Sequence, residues 1–508
     1  MEITTILLAW LAFFSVVITI GTKLTRARTI PPPKSRRPAP PPPPVAKGAP
    51  LVGVLPAILT KSLQAVIQDQ YLKLGSVFTL QSFGVKVTFL VGPEVSAHFF
   101  HGPESEISIA DVYRITVPIF GKGVGYDVDL GTRNEQHRFF AETLRPARLR
   151  SHVEPMVHEV EEYFGKWGQH GTVDLKQEVD EVLMRIASRC LLGKEVREKM
   201  HGEVSSLLRE LIGGLHLLSM FFPHLPLPAH RRRDRARARL EEIFSGIIAA
   251  RSSRGRAGAG AGAGGDDDDD DMLQALLGSR YKDGRATTEA EVTGLLVALL
   301  FAGHHTSSTV ATWTAARLLR HAEWLRAATA EQAARRRAAA AVDYDALLRM
   351  DVLHRCVKEA LRLHPVTPMI LRRARRGFTV RAGDGGGEYA VPAGRTVASP
   401  LVVSNTLASI YRDPHAFDPG RFAAGREEDR AAGAATAAGD LAFTSFGAGR
   451  HACMGEGYAY QQIKVILSHL LTNFELQLVS PFPETENMIS MRPKGKVMVS
   501  YKRRLLPQ

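Results

Sequence analysis

Cysteine is scarce: three in 508 residues, Cys190, Cys356 and Cys453. That number rules out a disulfide framework and suits a reducing compartment. Cys190 and Cys356 read as small buried hydrophobes. Charge is missing altogether from Ile3 to Thr22, a run rich in Ile, Leu, Val, Phe and Trp and long enough to span a bilayer. A cleavable leader fits poorly, because only Glu2 precedes the run and no small-residue cleavage pattern follows it. Lys23, Arg26, Arg28, Lys34, Arg36 and Arg37 come next, and positive charge on that flank places it in the cytosol. Pro31 to Pro50 contains ten prolines, a semi-rigid spacer. The Gly-Ala repeat and aspartates of Ser252 to Asp271 cannot bury enough apolar surface to order themselves and read as a disordered loop. The Asp run lacks the alternating spacing and closing Glu of a calcium loop.

Against this background the stretch Phe446-Gly447-Ala448-Gly449-Arg450-His451-Ala452-Cys453-Met454-Gly455 is dense in meaning. Gly449 permits a tight bend that exposes a sulfur, and Gly455 lets main chain pass close to a flat macrocycle with no Cβ in the way. Phe446 can shield the sulfur from water, and His451 offers a donor to a carboxylate of the macrocycle. After Cys453 the run reads as a helix start, whose free N–H groups favour a thiolate. Upstream, apolar residues from Asp351 to His364 recur at helical spacing, with His364-Pro365 as the stop. Glu359 and Arg362 share one face of that helix. Thr288-Glu289-Ala290-Glu291 is a capping box for a long apolar helix reaching about Arg320, on the order of 50 Å. At its centre lies Ala302-Gly303-His304-His305-Thr306-Ser307-Ser308. Small residues there make room for a ligand, and a Thr hydroxyl that bonds back to a carbonyl can open the helical ladder and hold water. His304 and His305 read either as surface histidines or as part of a metal site; adjacent helix positions diverge by about 100°, which disfavours the latter.

The cysteine loop resembles the haem-ligand loop of the cytochrome P450 monooxygenases, and the other segments follow in that family's order. The resemblance implies a mainly α fold with small β-sheets, one large domain over residues 51–508 behind an anchor (1–22) and a basic, proline-rich hinge (23–50). It implies haem b ligated by Cys453, whose thiolate favours O–O cleavage, and electrons from NADPH through NADPH-cytochrome P450 reductase. Phe417-Asp418-Pro419-Gly420-Arg421-Phe422 stands where the family places a third charge, so Glu359, Arg362 and Arg421 are expected to form a buried structural network. His305 before Thr306 is characteristic of the sterol 14α-demethylase branch, and Tyr113 to Asp127 is similar to that branch's loop over the haem. By the same resemblance Tyr113, Tyr126, Arg138, Arg372 and His451 hold the propionates, while Phe446, Gly449 and Gly455 shape the ligand loop. Ile115, Phe120, Phe301, Ala302, Met369, Ile370 and Met488 line an apolar pocket suited to a sterol or triterpenoid. Thr306 is expected to orient water, and His305, with a pKa near neutrality, to pass protons.

Departures from the plant members of the branch occur at Ile115 (usually Phe), His304 (Gln), Val366-Thr367-Pro368, Ala374-Arg375 and Gly457-Tyr458. Three readings follow: removal of the 14α-methyl group of a sterol, a diverged sterol or triterpenoid hydroxylase or epoxidase, and a non-catalytic haem- or sterol-binding protein. The net charge of +13 does not indicate nucleic acid, since Arg231-Arg232-Arg233 and Arg335-Arg336-Arg337 lie in helical stretches without a nucleic-acid motif. It suits an anionic membrane surface and an acidic electron donor. The anchor implies the endoplasmic reticulum membrane, crossed once, with the catalytic domain on the cytosolic face. Deleting Ile3 to Thr22 should move the protein toward the soluble fraction with haem content unchanged, which cell fractionation and absorbance spectra measure together.

Overall fold

The computed structural model describes residues 40–193, 195–214, 224–258, 271–338, 341–383, 386–430, 441–486 and 491–505. The anchor, the first part of the hinge, most of the Gly-Ala-Asp tract and Met488 lie outside them. Helices of nine residues or more are α1 (Leu63–Leu74), α2 (Pro93–His101), α3 (Leu130–Thr143), α4 (Val153–Gly165), α5 (Leu175–Ala187), α6 (His201–Gly213), α7 (Pro228–Gly258), α8 (Glu289–Arg320), α9 (Ala322–Arg337), α10 (Asp351–Leu363) and α11 (Glu456–Asn473). Strands are β1 (Val77–Ser82), β2 (Val85–Leu90), β3 (Ile107–Ser108), β4 (His170–Asp174), β5 (Ile370–Ala374), β6 (Phe378–Arg381), β7 (Glu388–Val391), β8 (Thr396–Ser399), β9 (Phe474–Leu478) and β10 (Met498–Arg503).

The chain divides into two compact units. The first, Met1–Val112 with Pro368–Pro414 and Glu428–His451, is built on a five-stranded sheet of order β1-β2-β8-β5-β3. Its strands are rich in Val, Thr and Phe, which suit a half-buried pleated surface. β1 and β2 pair antiparallel from Val77↔Leu90 to Ser82↔Val85, β2 runs parallel to β8, and β5 is antiparallel to β8. Val95, Phe99 and Phe100 of α2 pack into a core with Val77, Leu90, Ile107 and Val397. The hinge ends sooner than the proline content suggests. Ala46 donates to Thr79 O (2.9 Å), Thr79 to Pro44 O (2.8 Å) and Ala390 to Pro41 O (2.9 Å). Proline lacks an N–H but keeps its carbonyl, so residues from Pro41 onward can lie along a sheet edge.

The second unit, Tyr113–Thr367 with His415–Glu427 and Ala452–Gln508, is helical around α8, with a three-stranded sheet of order β4-β10-β9. α8 starts at the expected capping box: Thr288 Oγ1 accepts from Glu291 N (3.2 Å) and Glu291 Oε2 from Thr288 N (2.8 Å). Bonds from Arg285, Tyr281 and Thr288 hold the Glu291 carboxyl down to about 2 despite its burial. Although α8 is long and apolar enough to cross a membrane, most of that apolar stretch is buried among α5, α7, α10 and α11. It is a core helix.

The Ser252–Asp271 tract is ordered at both ends. α7 continues to Gly258, and Asp271 caps the next helical turn by accepting from Gln274 N (2.9 Å). Asp271 also receives two bonds from Arg251 (2.9 and 2.7 Å), which in turn reaches Glu195 (2.7 Å). Arg251 and Asp271 are both buried, so the last aspartate of the run is structural. Asp271→Ala would remove one of the two carboxylates paired with the buried Arg251 and the cap on Gln274 N, at a cost of ~1–3 kcal/mol. Thermal unfolding should show a lowered Tm for this variant.

Candidate active site

Cys453 and Gly455 stand immediately before α11, whose N-cap is Gly455. Of the three cysteines, Cys190 and Cys356 are buried and Cys453 is exposed. Burial pushes the Cys190 thiol up to about 12 and Cys356 upward as well. At Cys453 desolvation and Glu456 raise the thiol while the Gly455 N–H bond opposes them. A Cβ on Gly455 would sit 3.9 Å from the Cys453 sulfur, so glycine keeps that face of the sulfur open. An accessible thiol, an N–H donor to it and a helix N-terminus behind it fit a thiolate ligand for haem.

In the first unit the residues before that cysteine gather at the end of α2. Gly449 adopts φ +62°, and a Cβ there would come within 2.4 Å of Phe100 O, so this position demands glycine twice over. His451 Nε2 lies 3.1 Å from Glu104 Oε2, and Glu104 also accepts from Ser108 Oγ (2.7 Å). Glu104 is buried and no sequence motif marks it. Arg372 of β5 is buried, donates to Phe99 O and Phe100 O, and lies over the Phe99 ring at 4.7 Å. Both predicted propionate donors of this unit therefore sit by the 99–104 stretch. Phe446, Met369 and Ile370 are half-buried, the last opening β5.

In the second unit Thr306 behaves as predicted, donating to Ala302 O (2.6 Å). Gln462 of α11 donates to Gly303 O (3.1 Å) and bonds Ser307 Oγ, a tie between α8 and α11 that the sequence does not announce. His304 is no surface residue: it is buried and its Nε2 donates to Asp180 O of α5 (2.9 Å). Among the described residues no group of three or more His, Cys, Asp or Glu could hold a metal ion. His305 departs from expectation in its acidity. Burial, then Arg492, His304 and Lys176, push it down to about 4 against the opposing pull of Asp180. The ring is therefore neutral at pH 7.

The Tyr113–Asp127 loop packs onto α8 as one piece. Tyr113 and Tyr126 stack at 5.6 Å, and Phe120 meets Phe301 edge-on at 5.7 Å. Ile115 lies half-buried in the turn between them. Gly294 makes the approach possible, since a Cβ there would fall 2.4 Å from Phe120 O. Gln136 accepts from Gly125 N (2.8 Å), donates to Gly123 O (2.8 Å) and bonds Tyr281 (3.1 Å), whose hydroxyl reaches Glu291 (2.9 Å). Arg138 does not join the tyrosines. It bonds Glu135 (3.0 Å), Glu142 (3.4 Å) and Arg280 O (2.8 Å). Arg133 of the same helix lies by Tyr126 instead, buried with its guanidinium 5.6 Å from that ring's centre.

The charge network forms as predicted. Glu359 accepts from Arg362 (2.7 and 2.9 Å), Arg421 (3.0 Å) and Asp418 N (3.0 Å). The departures from the plant pattern mostly have local partners of their own. Beyond His304, Gly457 packs on Leu149, Tyr458 is buried edge-on to His152, Ala374 is a buried sheet residue and Arg375 pairs with Asp111 (2.9 Å).

These features define a haem-thiolate enzyme. The chain belongs to the cytochrome P450 family, whose profile matches residues 41–500, and it is accordingly a haem-dependent monooxygenase. It is 51% identical over 461 residues to an obtusifoliol 14-alpha demethylase of Sorghum bicolor, covering 90% of each chain. With a sterol 14-demethylase of Arabidopsis thaliana identity is 50%, again over 90% of each, and with human lanosterol 14-alpha demethylase it is 35%, over 86% of this chain and 82% of that one. Among solved structures, the retinoic acid bound cyanobacterial CYP120A1 matches with a TM-score of 0.75 and 22% identity, over 92% of this chain and all of that one. This last similarity speaks to fold alone. Cys453→Ser should abolish the thiolate-type carbon monoxide spectrum of the reduced haem, because a serine hydroxyl is too weakly acidic to replace the thiolate. Gly449→Ala should lower haem content by forcing both a clash and a left-handed alanine.

Proposed function

We propose that this protein removes the 14α-methyl group of a sterol, drawing electrons from NADPH through NADPH-cytochrome P450 reductase at the endoplasmic reticulum membrane. The observation that carries this reading is identity near one half with plant obtusifoliol and sterol 14-demethylases along 90% of the chain. The haem group, when bound, supplies the activation of dioxygen. Cys453 holds the iron, and Arg372, His451, Tyr113 and Tyr126 are assigned to the propionates, with Arg133 in place of Arg138. Ile115, Phe120, Phe301, Ala302, Met369, Ile370 and Met488 are assigned to the apolar wall around the substrate.

The protein's own chemistry is delivery of protons and exclusion of water. Thr306 binds its hydroxyl hydrogen to Ala302 O, which leaves the oxygen lone pairs to orient a water. A neutral His305 can accept a proton at one ring nitrogen and release one from the other, without resting as an imidazolium. His305→Ala is expected to slow product formation by about 10²-fold or more, the usual weight of a positioned acid or base. NADPH consumption should continue, with hydrogen peroxide released and sterol affinity intact. Normal coupling in that variant would reduce His305 to a wall residue.

Ile115 supports a second reading, a changed preference among sterols or triterpenoids. It is the departure that stands in the Tyr113–Asp127 loop itself, beside Phe120. Ile is smaller than Phe, so 4,4-dimethyl rings should be accepted at least as well as 4-monomethyl ones. One methyl group is worth roughly 10-fold to 200-fold in discrimination in an apolar pocket. Ile115→Phe should tilt the ratio of kcat/KM values back toward the monomethyl sterol. A strong wild-type preference for the monomethyl sterol that the mutation leaves unaltered would return the protein to the ordinary plant pattern.

A further inference from the structure

Two turns beyond Thr306 on α8, Trp313 is buried and touches three other segments at once. Its ring lies flat on His364 at 3.6 Å and 3°. Its Nε1 donates to Met491 O at 2.6 Å. Phe482 approaches at 5.9 Å. One turn along, Arg317 binds His364 Nε2 with two nitrogens (3.0 and 2.8 Å) and stands over the Phe482 ring at 4.8 Å. His364 is thus an acceptor, and burial together with Arg317 and Arg362 keeps it neutral.

Met491 enters the paired segment that returns past Glu484. Glu486 N donates to Arg492 O (2.8 Å) and Lys494 N to Glu484 O (2.7 Å), and Met491 N reaches Val366 O (3.3 Å). A second hold comes from α5, where Lys176 donates to Pro493 O (2.8 Å) and Gly495 O (3.4 Å). Arg492, between these two holds, is close enough to His305 to repel its proton. Met491 and Arg492 are therefore held by Trp313 of α8 and Lys176 of α5, two side chains outside the His305–Thr306 turn.

We propose that Trp313 is a positioning residue for substrate choice: through Met491 O it sets the spacing between the 491–494 segment and the His305–Thr306 turn of α8, with Lys176 as the second hold. This assignment rests on the reading of that turn as the substrate side of the haem site. A ring alone would suffice for packing on His364; the short bond from Nε1 to a backbone carbonyl is what ties that segment to α8. Losing that bond lets the segment shift without emptying the core.

The test uses full-length holoenzyme in detergent. Haem absorbance is titrated with 4-phenylimidazole, a short ligand, with an imidazole carrying a long aryl tail, and with the sterol substrate. Trp313→Phe keeps the stacked ring and removes the donor. It should leave haem content and 4-phenylimidazole affinity unchanged while weakening the long ligand and the sterol roughly 5-fold, the size of one lost hydrogen bond. KM should rise with kcat nearly constant. Lys176→Met should reproduce the pattern. Thr314→Val, which removes an equally buried hydroxyl bonded only within α8 (Val310 O, 2.8 Å), should change neither ligand. Equal weakening of short and long ligands, or no weakening of either by Trp313→Phe, overturns the assignment. A wild-type protein that binds both imidazoles but converts no sterol overturns the 14α-demethylation reading alone, and the short-against-long comparison still decides the role of Trp313.

Discussion

The Glu359 carboxylate is the point on which the second unit depends. Glu359, Arg362 and Arg421 are each 0% exposed, and a charge taken that far from water is tolerable only when every lone pair and N–H finds a partner. Glu359 receives four bonds, one of them from the backbone of Asp418. Both arginines also reach Ala416 O. The network pins α10 to the short segment His415–Glu427, which the chain contributes to the second unit between two stretches belonging to the first. Phe417 of that excursion is buried as well, so apolar packing and buried charges hold it together. From there the chain proceeds to the cysteine loop.

The sequence exposes such features unevenly, and the reason is physical in each case. The capping box of α8, the Thr306 back-bond and the Glu359 network depend on residues close in the chain or on motifs with fixed spacing, and all were legible. Arg138 and Arg133 illustrate the limit. Five residues apart on one helix, they point about 140° away from each other, and which of them faces Tyr126 depends on how α3 is rotated against the loop. His305 shows another limit, because its acidity is set by burial and by Arg492, a residue far along the chain. Glu104 and Gln462 carry no motif at all; each is defined by the partners it meets in space.

Proline content misled. Ten prolines in Pro31 to Pro50 suggest a spacer throughout, yet from Pro41 the carbonyls serve as acceptors for the first unit. Of the departures from the plant pattern, five positions lie in helix contacts, sheet core or surface pairs. Ile115 and the Val366–Pro368 stretch are what remains, and Val366 is held by Met491 N.

The bidentate grip of Arg251 on Asp271 separates the Gly-Ala-Asp tract from the rest of the protein in a specific sense. Its two ends are fastened to each other at hydrogen-bond distance, so the gap to be bridged is the same however many residues bridge it. Closing a longer loop adds only ~0.6 kcal/mol for each doubling of length. Residues gained or lost between Gly258 and Asp271 should therefore have little effect on folding, and the position is a natural port for inserting a foreign module.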